Sequence, residues 1–258
     1  MCFFRLFSKK KSIIIFLFGI LYSLAMAEDN RSQLIKGCIA LIIGCCIYYA
    51  DKIPFKLVKM GHYLCYFSSI MLFSIILSDA SGLIFGRISE NDALYNHRNR
   101  EKNEKDTRSL IYYDVYRSAV KHDYWLCGHT PARGNEMGIS TILYEWAYSD
   151  NIKFNKNERA RNEMLHANIF TWEGLIGLIL YALLYMRASY LAVYKSENKF
   201  LPFLGCYIAF RWSYGWIEDT NCFLISDVAL WTMITICYSP LYRNMSNIEF
   251  KNWIRNLI

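Results

Sequence analysis

The chain has 258 residues, 54% of them hydrophobic and 17% aromatic, and a formal charge of +7. Several apolar runs are long enough to cross a bilayer, which excludes an ordinary soluble protein of one or two domains as the starting expectation. The surplus Lys and Arg lie beside those runs, so the positive charge points to membrane orientation and away from nucleic acid as a partner. Most of the nine cysteines (Cys38, Cys45, Cys46, Cys65, Cys206 and Cys237 among them) sit inside apolar runs. Without CxxC spacing they indicate neither a disulfide framework nor a metal site, and they read as small apolar residues.

In chain order, Lys9, Lys10 and Lys11 precede an apolar run at 13–27 that closes on Ala25, Met26 and Ala27. That ending also fits a signal peptide, but the runs that follow favour an uncleaved first helix. Further spans are expected at 34–50, 62–77, 167–186, 200–217 and 222–239. The linker at 51–59, broken by Pro54, carries Lys52, Lys56 and Lys59. The linker at 187–199 carries Arg187, Lys195 and Lys199, and the tail carries Arg243, Lys251 and Arg255. Short turns of the opposite sign hold Glu28 with Asp29 and Glu218 with Asp219. Six spans with both termini cytoplasmic satisfy every short segment, and a long loop crosses whatever its charge. The expectation is therefore an all-α polytopic membrane protein with about six spans. Three lie within 1–80, an external loop occupies 81–165, three more lie within 166–240, and 241–258 form a cytoplasmic tail.

Within the loop, 87–106 is charged, lacks an apolar period and reads as solvated. Residues 107–126 have apolar side chains at helical spacing, with Leu110, Tyr113 and Arg117 on one side and Ile111, Val115 and Tyr116 on the next. This predicts an amphipathic helix lying on the membrane, with Tyr124 and Trp125 at headgroup depth. Gly128 and Pro131 end it. A short helix is expected at 139–148, and polar residues 151–157 lead to Arg159 and Arg161.

The junction between loop and fourth span carries His166, Glu173 and Gly177, spaced to share one helical face. A membrane helix with His and Glu on one face usually lines a cavity or another helix. Glu173, Arg211 and Asp227 each lie about 10 Å in from the outer ends of their spans, at about 1.5 Å per residue. A shared polar cavity accounts for that depth. So do structural ion pairs, such as Arg211 with Asp227 or Glu173. The positive end of the helix dipole favours neutral imidazole at His166, the form a general base requires, although a lone interfacial His more often makes one plain hydrogen bond. Arg108, Arg117, Arg159 and Arg161 present forks suited to phosphate oxygens, or are solvated and paired with nearby acids. Tyr116 and Trp125, with Tyr112 and Tyr124, suit stacking on sugar rings or anchoring of the helix.

Two spacings give the chain a resemblance. Arg117 is followed by ten residues and Gly128, and His166 by ten residues and Gly177. The stretch from Leu165 to Leu178 looks like the His-Asn…Glu-x-Gly-x-x-Gly-Leu start of a membrane helix in bacterial O-antigen polymerases and O-antigen ligases. The chain resembles that superfamily over about 70–240, including a large periplasmic loop before the last spans. Asn168 stands one place late, the Gly174/Gly177 pair stands about three residues early, and six spans instead of ten or more imply an N-terminally shortened member. The resemblance implies a multi-pass protein of the bacterial inner membrane and a substrate of oligosaccharide on undecaprenyl diphosphate. It implies glycosyl transfer at the periplasmic face without cofactor or metal. Arg117, with Arg159 or Arg161, would hold the diphosphate, and His166 would take the acceptor proton. Polymerase is favoured over ligase, which moves the finished chain to lipid A-core. A chain-length regulator and a flippase are the protein partners the resemblance implies, with membrane lipid around the spans, and a transporter or assembly partner for lipid-linked sugars is the non-enzymatic alternative.

Overall fold

The computed structural model of the chain describes residues 31–79, 107–136, 158–219 and 225–256, together with helical positions at Ile13, Ile14, Leu17, Ile20 and Leu21. The chain is mostly helical. The remainder of the first run, the acidic pair Glu28 and Asp29, the solvated stretch at 87–106 and the short helix expected at 139–148 lie outside the described residues. The chain forms two compact units. The first comprises Met1–Phe67, Leu184–Ser213 and Phe223–Ile258, and the second Ser68–Leu183 and Tyr214–Cys222.

The apolar runs fall on α1 (Arg31–Tyr48), α2 (Phe55–Asp79), α4 (Leu165–Tyr194), α5 (Leu201–Tyr214) and α6 (Ile225–Tyr238). Between α2 and α4 come α3 (Thr107–Lys121) and a two-stranded antiparallel pair, β1 (Asn135–Glu136) and β2 (Glu158–Arg159). The chain ends in α7 (Pro240–Arg243) and α8 (Asn247–Asn256). Among the described residues, α4 is the one helix long and apolar enough to cross a membrane, and Gly37–Tyr48 and Asp227–Tyr238 are shorter apolar helices.

Helix α2 begins well before residue 62: Pro54 stands immediately before it, where a missing N–H costs nothing, and Leu57 N–H donates to the Pro54 carbonyl at 3.0 Å. Two of the lysines that made this segment look like a linker, Lys56 and Lys59, ride on the helix instead. Lys59 lies over the Phe55 and Tyr194 rings at 4.7 and 5.3 Å.

In the first unit, small residues let α4 and α5 approach closely. A Cβ added to Gly205 would lie 2.9 Å from the Ser189 carbonyl oxygen and 3.0 Å from the Ala192 Cβ. Tyr66 and His62 from α2 reach the buried Ser189 hydroxyl at 2.6 and 3.2 Å, respectively, while that hydroxyl donates to the Met186 carbonyl. The start of α5 is capped by Asn198, whose Oδ1 accepts from Phe200 and Leu201 N–H at 3.2 and 3.0 Å. Its amide Nδ2 donates to the carbonyls of Tyr242 and Met245 and so ties the α7 segment to the same cap.

In the second unit, α3 buries Ile111, Asp114, Val115, Ser118 and Ala119, one continuous helical stripe. Ile111 and Val115 form a core with Met164 and Ala167, flanked by Tyr112 and Phe170. Tyr113, Tyr116, Arg117 and Val120 make up the exposed face. Tyr124 differs from the expected headgroup anchor. It is buried, donates to the Ser118 hydroxyl at 2.6 Å and stacks on His129 with centroids 4.5 Å apart.

Candidate functional site

The two spacings noted in the sequence meet at one place. Helix α4 is interrupted at Gly174, whose φ of 68° and ψ of −163° are not helical. In an unbroken helix the N–H groups of Leu175 and Ile176 would bond to the carbonyls of Thr171 and Trp172. Here Leu175 and Ile176 donate instead to the carbonyls of Trp125 and Leu126, at 2.9 and 3.2 Å. The carbonyls left behind accept from the loop: Thr171 from His129 N–H at 2.7 Å and Trp172 from Thr130 N–H at 3.0 Å. Residues 125–130 thus supply partners for these four backbone groups at the break.

Two glycines make the crossing possible. Gly128 has φ 74°, and an added Cβ would run into the backbone of Trp172 and Glu173. Gly174 has a positive φ as well, and its Cβ would run into the backbone of Leu126 and Cys127. Because of the break, Gly177 belongs to a different helical segment from His166 and Glu173, so the three do not share a continuous helical face. Glu173 and Gly177 remain neighbours, since a Cβ on Gly177 would meet the Glu173 side chain. The Glu173 carboxylate therefore lies over the first turn of the second segment, where the helix dipole favours an anion.

His166 lies at the start of the first segment. Leu165 N–H donates to the Glu218 carbonyl at 3.3 Å and His166 N–H to the Gly215 carbonyl at 3.4 Å. The imidazole is only 1% exposed. It stacks on the Trp216 indole with centroids 4.0 Å apart and planes 2° from parallel. Trp216 is itself fixed, donating from Nε1 to Ser69 Oγ at 3.0 Å while its carbonyl accepts from the Tyr112 hydroxyl at 2.9 Å. Gly215 leaves room for the imidazole edge, because a Cβ there would sit 2.7 Å from His166 Cε1.

The expected anion-binding residues have different surroundings. Arg117, Tyr116 and Trp125 are exposed, and Arg108 belongs to α3 with its side chain outside the described residues. Arg159 is half-buried, and burial pulls its guanidinium below its ordinary value against the opposing charge of Asp114. Arg161 donates from Nε and Nη2 to Asp219 Oδ2, and Asp219 N–H in turn donates to the Glu163 carbonyl at 2.6 Å. In the first unit, Arg211 and Asp227 are both buried and form an ion pair at 2.9 Å, with the Tyr207 hydroxyl 3.3 Å from Arg211 Nη1.

Sequence reasoning placed Asn168 only in the His-Asn element and gave no role to the groups that fix this junction. Asn168, fully buried, accepts from Asn162 N–H at 2.6 Å and donates to the Asn162 carbonyl at 3.0 Å. Asn162 donates onward to Asn135 on β1 at 3.0 Å. The one available signal was an Asn two places after a His at a helix start. On the loop side, Glu136 accepts from Lys121 at 2.7 Å and lies 3.0 Å from His122 Nε2, while Arg133 pairs with Glu158. Those partners hold both carboxyls below their ordinary values. Among the described residues no group of three His, Cys, Asp or Glu side chains is placed to hold a metal ion.

Compared with known proteins, the chain matches no family model, and neither the curated proteins nor the solved structures contain a significant match.

Proposed function

We propose that this protein is a multi-pass inner-membrane glycosyltransferase of the O-antigen polymerase type. It would move glycan from undecaprenyl diphosphate to a sugar hydroxyl at the periplasmic face. The observation that carries this reading is the crossing of Gly128 with the break at Gly174. The two elements that give the chain its resemblance, Arg117 to Gly128 and His166 to Gly177, are built against each other. Interrupted helices with neighbouring backbone in the gap are a recurring way to build ligand sites inside membranes.

The membrane placement rests on apolar side chains left uncovered along helices. On α2 they are Met60, Tyr63, Leu64, Phe67 and Met71, and on α4 they are Ile176, Ile179, Leu180 and Leu183. Each set follows one helical face, and a water-soluble protein rarely exposes such stripes. The apolar run at 13–27 and spans on α1, α2, α4, α5 and α6 make six crossings with both termini cytoplasmic, which keeps the basic linkers on one side.

In the proposed reaction the acceptor oxygen bonds to the anomeric carbon as the bond from that carbon to the diphosphate breaks. The diphosphate leaves with the electron pair, and exposed Arg117 stabilises its charge. The acceptor proton passes to His166. That step has a condition: a hydroxyl reaches the imidazole only when the Trp216 ring moves off it. The exposed face of Tyr113, Tyr116 and Arg117 supplies flat rings and a cation for the incoming glycan.

A deletion strain decides between the readings. Loss of a polymerase leaves lipopolysaccharide with a single repeat, and loss of a ligase leaves bare core. A strain with an unaltered ladder would sink both. A second reading, a non-enzymatic partner in lipid-linked sugar assembly, is favoured by the covered His166 and by the pairing of Arg161 with Asp219. Under it, His166→Ala leaves the ladder intact wherever the protein still folds.

A further inference from the structure

We infer that the end of the first unit formed by residues 195–200 and 240–256 is a docking surface for anionic lipid headgroups. Three segments are stitched together there. Asn198 ties the cap of α5 to the Tyr242 and Met245 carbonyls, Glu197 N–H donates to the Arg243 carbonyl at 2.9 Å, and Lys199 N–H donates to Asn247 Oδ1 at 2.8 Å. Helix α8 is amphipathic. It buries Phe250 and Ile254 and stacks Phe250 on Phe200 at 5.8 Å, while Tyr242 packs on Trp253 at 4.6 Å.

This stitching gathers cations. Lys195, Lys199, Arg243, Lys251 and Arg255 lie on these segments, against Glu197, Glu249 and Asp51, the last of which pairs with Lys199 at 3.3 Å. Glu249 is already engaged, accepting from Ser246 N–H at 2.8 Å as the cap of α8. Lys251 lies over the Phe200 ring at 5.4 Å, which aims its ammonium along the aromatic cluster. The Arg243 Nε is buried and has no acceptor among the described residues. Beside the cations, Leu241 and Ile248 stand 65% and 71% exposed. Cations alone would suit any phosphate. Aliphatic side chains standing out between them suit the headgroup region of a bilayer, where the charges meet phosphate and the apolar side chains enter the acyl boundary.

This inference rests on the membrane placement proposed above and on no part of the glycosyl-transfer chemistry. The test uses the full chain purified in neutral detergent, with added phosphatidylglycerol or phosphatidylcholine. Retained lipid is read by native mass spectrometry and stability by thermal shift. The wild type should retain phosphatidylglycerol in preference, and the preference should fade as salt is raised. Each cation removed should lower it about fivefold, so Lys251→Gln with Arg255→Gln should lower it about 25-fold. If that variant does not accumulate, Lys195→Gln with Lys199→Gln carries the same readout. Equal retention of both lipids, a preference unchanged in the variants, or equal stabilisation by inorganic phosphate at matched concentration would overturn the inference. A chain that stays soluble when the detergent is removed would instead overturn the membrane placement.

Discussion

Gly128 and Gly174 are reciprocal: each sits, with positive φ, where the backbone of the other's segment leaves no room for a Cβ. Neither glycine is at a surface turn that would tolerate a side chain. Gly128→Ala and Gly174→Ala each add the cost of a left-handed residue, about 1–2 kcal/mol, to a clash with main chain that has no rotamer to escape into. Each should therefore lower stability by more than about 2 kcal/mol and open the loop at 125–130. Thermal unfolding in detergent and limited proteolysis of the loop measure this. Wild-type midpoints for both variants would mean that the crossing is not what holds the break.

Thr130 adds a smaller test at the same crossing. Its φ of 77° is unfavourable for a β-branched residue, and it is held there while its N–H bonds to the Trp172 carbonyl. Thr130→Gly removes the strain and keeps that bond, so it should leave stability unchanged or raise it by up to about 1 kcal/mol. A clear loss would show that the threonine side chain contributes more than its backbone costs.

The loop should be sensitive to acid. Glu136, held down by Lys121 and His122, and Glu158, held down by Arg133, both have folded-state pKa values below their ordinary ones. Groups of this sign stabilise the fold above the ordinary carboxylate range, and the contribution is lost as pH falls through their lowered values. Both pairs face solvent, so the effect is modest. Protection against hydrogen exchange at α3 and β1, taken relative to the intrinsic rate at each pH, should fall on acidification through that range. Glu136→Gln with Glu158→Gln should flatten the dependence, and an unchanged slope would assign the acid response to other groups.

The helical class was legible because apolar runs are a property of composition, and α1, α2, α4, α5 and α6 fall on those runs. The junction at His166 was legible as a change from polar loop to apolar helix. The break was not. Gly174 looks like any glycine in an apolar run, and what stops the helix there is a loop arriving from more than forty residues earlier. The stack of His166 on Trp216 was hidden for the same reason, since Trp216 reads as the end of another span. Lysines at 56 and 59 misplaced the start of α2, because a charge on a helix stem is indistinguishable in sequence from a charge in a linker.

The pair of Arg211 and Asp227 separates a structural role from a substrate role. Removing Arg211 alone leaves a buried carboxylate without its partner, a loss of about 3–5 kcal/mol, whereas replacing both groups by apolar residues of similar volume is often neutral. Arg211→Met should therefore fail to accumulate, and Arg211→Met with Asp227→Leu should recover. If the double variant is stable and still makes the polysaccharide ladder, the pair only holds helices together. If it is stable and the ladder is gone, the charges act on substrate.

His166 supports the sharpest comparison, because the ring and the proton can be varied separately. The imidazole fills a slot between Trp216 and Gly215, so His166→Ala removes packing as well as basicity. His166→Phe keeps a flat ring against the indole and removes only the nitrogen atoms. Under the proposed chemistry the phenylalanine variant should insert and resist heat much as the wild type does. It should also lose about 10²–10⁴-fold in chain extension, the usual contribution of a general base. If histidine serves only to stack, the phenylalanine variant should keep the ladder and the alanine variant should lose it through instability. Measuring membrane-inserted protein alongside ladder length in both variants separates the two, because packing follows the ring and proton transfer follows the nitrogen.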